Sequence, residues 1–94
     1  MTKRELVKRV QEKIKDYPPK DIAYVVHLIF EAMSAALKRD ERIEIRGFGN
    51  FTVRNRRQIQ GRNPKTSVVI NLPARKVPFF KVGKDLNDMV NRYR

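Results

Sequence analysis

The chain changes its hydrophobic period part-way along. Up to Arg39 apolar residues recur at helical spacing, and beyond it they recur at every second position. Thr2-Lys3-Arg4-Glu5 has the spacing of a capping box, with Thr2 as N-cap and Glu5 at the third helical position. Leu6, Val7, Val10 and Ile14 then predict an amphipathic helix to about Lys15. Asp16-Tyr17-Pro18-Pro19 interrupts it, and a proline suits the first turn of the next helix. That second helix is expected from Pro19 to Arg39, ~30 Å at 1.5 Å per residue. Between Ile22 and Leu37, 12 of 16 residues are Ala, Val, Ile, Leu, Met or Phe. Such a run covers more than one helix face, and so short a chain has too few other elements to bury both. The economical partner is a second chain, which makes this an interface helix with Ile29 and Met33 in a dimer core.

From Arg42 the alternation is strict. Arg42, Glu44 and Arg46 alternate with Ile43 and Ile45, predicting a half-buried strand with a charged outer face. Glu44 and Arg46 share that face, where they could pair with each other or probe a groove. Gly47-Phe48-Gly49-Asn50 reads as a turn. Phe51 and Val53 restart a strand that continues to about Gln60. Gly61-Arg62-Asn63-Pro64 forms a second turn, Val68 to Leu72 a returning strand, and Val77 to Val82 its continuation beyond Pro73-Ala74. Lys84 to Tyr93 closes the chain as a short helix. The expected order is α-α-β-β-β-α in one α+β domain spanning residues 1–94: a helical dimerisation part (1–41), a sheet with a β-arm (42–82, arm about 54–76) and a C-terminal helix (83–94).

Charge sharpens this picture. The 94 residues carry 22 Lys+Arg against 10 Asp+Glu, a formal +12. The surplus is concentrated: Arg46, Arg54, Arg56, Arg57, Arg62, Lys65, Arg75, Lys76 and Lys81 occur in a stretch without a single acid. A solvated surface ordinarily mixes both signs, so an acid-free run of nine cations points to a polyanion, with these side chains on its phosphates. The stem of the long hairpin is polar for most of its length, too poor in apolar residues to bury in a protomer core. A basic two-stranded ribbon has the width to follow a DNA groove. At its tip, Arg62 and Lys65 offer charges, Asn63 an amide, and Pro64 a rigid apolar ring. Pro64 either makes the turn or wedges between base steps, as apolar side chains do in minor-groove benders.

Three segments carry a family likeness: Arg42-Ile-Glu-Ile-Arg-Gly-Phe-Gly-Asn-Phe51, Gly61-Arg-Asn-Pro-Lys-Thr66 and Val77-Pro-Phe-Phe-Lys81. Together they resemble the HU/integration-host-factor family of bacterial DNA-bending proteins, and the likeness covers nearly the whole chain. The resemblance implies an intertwined dimer with a helical body and two β-arms that embrace duplex DNA through its minor groove. By the same likeness Pro64 would intercalate, Arg62, Asn63 and Lys65 would hold the groove, and the arm arginines and Lys84 would contact phosphates. Phe48, Phe51 and Phe80 would form the aromatic dimer core. The Arg42–Arg46 strand looks more like the beta chain of integration host factor than like HU. Two departures stand out: Ser67 where the family pattern has glycine, and Val82 where it commonly has proline. The strand after the tip is also apolar, Val68-Val69-Ile70, where charges are common.

Other functions lack their parts. There is no cysteine, hence no disulfide, thiolate nucleophile or cysteine-based zinc site. His27 is the one histidine, set in the apolar second helix and expected at an interface or on the surface rather than as a base or ligand. Gly47-Phe48-Gly49 is half of a dinucleotide fingerprint and lies between strands. No catalytic constellation, cofactor or metal site is evident, and a non-enzymatic role is expected. A small basic RNA-binding or ribosome-associated protein is the alternative, but it would present aromatic stacking platforms, and these phenylalanines read as core. A membrane-surface role would place the cations on an amphipathic helix, whereas they fall on strands. Charges recur from Lys3 through Lys15 where a secretory signal would be apolar, so the expected location is the cytoplasm, on the nucleoid. The partners implied are double-stranded DNA and a second copy or a related chain.

Overall fold

Thr2 opens the first helix as its spacing predicts. Its backbone is extended, and its Oγ1 accepts the Glu5 N–H at 3.2 Å while the hydroxyl donates to the Glu5 carboxylate at 3.4 Å. The computed structural model describes residues 1–62 and 65–92, excepting the side chains of Ile59, Arg62 and Ile70. Helix α1 spans Lys3–Lys13 and α2 spans Pro19–Lys38. Pro19, lacking an N–H, occupies the first helical position where none is needed, and the Gln11 side chain donates to its carbonyl at 2.7 Å.

Two compact units divide within α2, Met1–Ala35 and Ala36–Arg94. In the first, Leu6, Val7 and Val10 of α1 are half-buried. Ile22 and Val26, one turn apart on α2, are the buried apolar residues among those described. Val25 and Ile29 remain 50% and 52% exposed, and Tyr24, Leu28 and Phe30 are exposed as well. A mostly apolar helix thus keeps much of its surface uncovered. His27 is on the surface, with Nε2 3.2 Å from the Glu31 carboxylate and Nδ1 3.1 Å from the Lys3 ammonium.

In the second unit, α2 ends where its carbonyls are recaptured. Asp40 N–H donates to Leu37 O at 3.1 Å and Glu41 N–H to Ala36 O at 3.0 Å, the paired bonds of a Schellman cap. The residue such a cap puts in the left-handed region is Asp40, with φ 61°.

The strands are β1 (Ile43–Ile45), β2 (Gly49–Arg56), β3 (Ile59–Arg62), β4 (Val69–Leu72) and β5 (Arg75–Val82), followed by α3 (Lys84–Val90). They form an antiparallel sheet in the order β1-β2-β5 and a separate two-stranded ribbon, β3-β4. The architecture is α+β. The expected three strands are therefore five, because the long hairpin is cut. Arg56 pairs with Arg75 and Ile59 with Leu72, so two residues on each side, Arg57-Gln58 and Pro73-Ala74, leave the ladder without shifting its register.

Proline placement accounts for the cut. Gly83 N–H donates to Phe48 O at 2.9 Å, which makes that the hydrogen-bonded type of antiparallel pair. Types alternate along a ladder. Continued in register, Thr52–Phe79, Arg54–Val77 and Arg56–Arg75 are hydrogen-bonded pairs, and the next would be Gln58–Pro73. Pro73 has no N–H to donate there. Pro78 sits opposite Val53, a pair of the other type, and the strand runs through it undisturbed.

The alternation also sorts the aromatics. Phe51 and Phe80 face each other across the ladder with ring centroids 4.7 Å apart, and Phe48 joins Phe80 at 5.5 Å. Phe48 and Phe80 are still exposed at their edges. Helix α3 is capped by Gly83 before Lys84 and by Asn91 after Val90, and the Tyr93 at which the sequence expectation ended it lies outside the described residues. The Asn91 side chain donates to Asn87 O at 2.8 Å and takes up a terminal carbonyl. No helix among the described residues is long and apolar enough to cross a membrane.

Candidate nucleic-acid interface

Residues two apart on a strand share a face, and so do residues directly opposite. By the β2–β5 register, Asn50, Thr52, Arg54 and Arg56 lie on one face with Lys81, Phe79, Val77 and Arg75. Glu44 of β1 pairs with Asn50, which brings the outer face of β1 to the same side. Phe51, Val53 and Phe80 take the opposite face. One side of the sheet is thus polar and basic, and the other is aromatic.

Within the polar face Arg54 is held by a ring. Its guanidinium carbon stands 3.4 Å from the centroid of Phe79, a cation–π stack that spares both phenyl and guanidinium part of their contact with water. Arg42, Asn50, Thr52, Phe79 and Lys81 surround it in a depression of about 280 Å³. Arg42 Nε meets Glu44 Oε1 at 2.9 Å. The Glu44 carboxylate therefore pairs within β1's outer face with Arg42, and no pairing with Arg46 is seen.

The register carries a like-charge conflict. Arg56 and Arg75 are directly opposed, an arrangement that costs free energy unless an anion lies between them. Among the described residues no carboxylate pairs with Arg46, Arg54, Arg56, Arg57, Arg75, Lys81 or Lys84. All seven are exposed.

The residues singled out from the sequence are placed as follows. Arg54, Arg56, Arg75 and Lys81 share the polar face, and Arg46 directly follows β1. Arg57 lies in the cut, Arg62 ends β3, Lys65 is in the turn before β4, and Lys84 opens α3. Lys76 is set apart: it alternates to the aromatic side, where its ammonium binds the Asp40 carboxylate at 2.8 Å. Asn63 and Pro64 lie outside the described residues. Phe48, Phe51 and Phe80 are brought together, while Ile29 and Met33 lie one turn apart on α2.

Sequence reasoning missed Arg42 and the Arg54–Phe79 stack. Arg42 precedes the acid-free stretch, in a segment of nearly balanced charge, although its spacing from Glu44 and Arg46 puts it on their face. The stack depends on register, which no local pattern encodes.

Residues 1–91 match the family model described as bacterial DNA-binding protein. The chain belongs to that family. Among its relatives, integration host factor subunit beta of Saccharophagus degradans is 50% identical over 91 residues, which is 97% of this chain and 93% of that one. The same subunit of Histophilus somni is 47% identical, with 99% of each chain covered. Among solved structures, HU of Anabaena, crystallised with DNA, matches with a TM-score of 0.84 and 36% identity over 96% of this chain and 97% of that one. HU of Thermotoga maritima matches with a TM-score of 0.66 and 31% identity, covering 96% and 98%. The likeness read from the sequence over nearly the whole chain is thus matched by the family model over residues 1–91.

Proposed function

We propose that this protein is a dimeric architectural DNA-binding protein that holds duplex DNA by its backbone and minor groove and bends it. The observation that carries this reading is the acid-free basic hairpin with Arg56 set against Arg75. Such a pair is unfavourable in the free protein and becomes favourable when a phosphate bridges it. The relatives' names supply the rest: HU crystallised with DNA, and a subunit of integration host factor, which by its name is one chain of an assembly. The dimer contains either two copies of this chain or this chain with a related one, and it acts on the nucleoid in the cytoplasm, in chromosome organisation and nucleoprotein assembly.

In this reading Arg46, Arg54, Arg56, Arg57, Arg75, Lys81 and Lys84 neutralise phosphates, with Lys76 joining them only on release from Asp40. Arg62, Asn63 and Lys65 hold the groove at the arm tip, and Pro64 enters a base step. Uniform backbone contacts give little sequence preference of their own, so site choice follows DNA deformability. No chemical step is assigned to any residue. An RNA platform finds no support, because Phe79 is stacked under Arg54 and Phe48, Phe51 and Phe80 pack on one another.

The test is energy transfer between dyes at the two ends of a short duplex, titrated with protein through a salt series. Wild type should shorten the end-to-end distance, and its affinity should fall with salt at a log–log slope of several units. Pro64→Ala should keep the fold and most of the affinity but lose much of the shortening. An unchanged distance at saturating wild-type protein would refute bending, and equal bending by the two proteins would reduce Pro64 to a turn residue.

A further inference from the structure

We propose that the exposed apolar side chains of the outer ribbon, Val68, Val69 and Leu72, pack on the deoxyribose walls of the DNA groove and supply a salt-independent share of the affinity. The inference rests on the function proposed above and adds to its electrostatics a second kind of contact. Three branched apolar residues fall within five positions of the arm, 58%, 45% and 43% exposed. The ribbon is a two-stranded sheet on its own, so among the described elements no third strand covers it. A short run of this composition at a free strand edge ordinarily invites pairing with another chain.

The charge around it decides what can cover it. The stretch from Arg46 to Lys81 has nine cations and no acid. A second copy of the arm would bring those cations against each other. A polyanion with apolar surface meets both demands, and duplex DNA has one: the sugar carbons that wall the groove between the phosphates. Geometry favours a groove over a flat surface. Val69 pairs with Arg62 and Leu72 with Ile59 in the β3–β4 register, and their odd spacing puts them on opposite faces of the ribbon. Each face therefore presents an apolar residue, which suits an element seated between two walls. The turn keeps Val68 at the tip end, its N–H donating to Thr66 Oγ1 at 3.4 Å.

The experiment compares wild type with a Val68→Thr/Val69→Thr double variant, which keeps branching, size and charge. Duplex affinity is measured across a salt series. The double variant should bind about three- to tenfold more weakly at every salt concentration, with the log–log slope unchanged. Arg56→Ala/Arg57→Ala should instead lower the slope by about two units in a heterodimer and up to about four in a homodimer. A Val68→Ile/Val69→Ile variant, which keeps strand propensity and adds apolar area, should bind at least as tightly as wild type. Threonine variants that match wild type throughout, threonine variants with a lowered slope, or isoleucine variants that bind more weakly would each overturn the inference. So would a DNA-free association beyond the dimer in wild type that the threonine variant loses, since the strip would then belong to a second copy. If wild type showed no salt-dependent duplex binding, the proposed function itself would fall, a result distinct from all of these.

Discussion

At Gly49 a single carbon atom decides whether the sheet closes. A Cβ built there would lie 2.6 Å from the Lys81 carbonyl oxygen and equally close to the Phe80 ring. The ring has room to turn outward, but the carbonyl belongs to the paired backbone of β5. Gly49→Ala should therefore separate β2 from β5 locally and break the Phe51–Phe80 contact, costing about 1–3 kcal/mol. A urea midpoint equal to wild type would show that the approach is looser than it looks. Asp40 poses a subtler problem, since it holds φ at 61° to close the α2 cap and also binds Lys76. Asp40→Ala keeps the strain and loses the pair, so it should destabilise by about 1 kcal/mol or more. Asp40→Gly loses the pair but relieves the strain, and the two terms are each about 1 kcal/mol and opposite in sign. Its midpoint should stay near wild type. If glycine were as damaging as alanine, the Lys76 contact would outweigh the cap.

The elements differ in how plainly the chain announces them. Helices α1 and α2 were legible to within two residues because their signals are local: Thr2 and Glu5 meet across one turn, and Pro19 sits where a missing N–H costs nothing. The basic hairpin was legible from its acid-free run. The cut in that hairpin was not, although Pro73 stood in view, because a proline's effect on a ladder depends on the type of pair it enters. Pro73 and Pro78 are alike as residues and differ only in phase. The Lys76–Asp40 bond was hidden for the same reason, as alternation placed Lys76 off the face of its basic neighbours. Phase makes a prediction. Pro73→Val restores a donor opposite Gln58 and should join the two halves of the ladder. Amide exchange in β3 and β4 should then slow severalfold, whereas Pro78→Val should leave it nearly unchanged. Equal effects from the two variants would mean that the cut has another cause.

For the whole molecule the governing fact is the surface that one chain leaves uncovered. Val25, Leu28, Ile29 and Phe30 of α2, Phe48 and Phe80 of the sheet, and Met89 and Val90 of α3 are all exposed, and among the described residues Ile22 and Val26 are a small core. Apolar burial contributes about 25 cal/mol per Å², so a protomer that buries so few apolar side chains among its described residues is weakly stabilised against the conformational entropy it must overcome. Burying these residues in a partner would supply the missing term, which couples folding to association. The thermal midpoint should then rise with protein concentration, by mass action on the dimer, and dilution should unfold the chain rather than release a folded monomer. Sedimentation and circular dichroism over a hundredfold dilution check both. Helicity and dimer mass should disappear together. A midpoint independent of concentration, with monomer mass and intact helicity, would mean that the uncovered apolar surface is tolerated in water. A chain that stays largely unfolded alone at every concentration, and gains helicity only with a related chain, would instead make it one half of an obligate heterodimer, because the same uncovered residues would then need a different sequence opposite them.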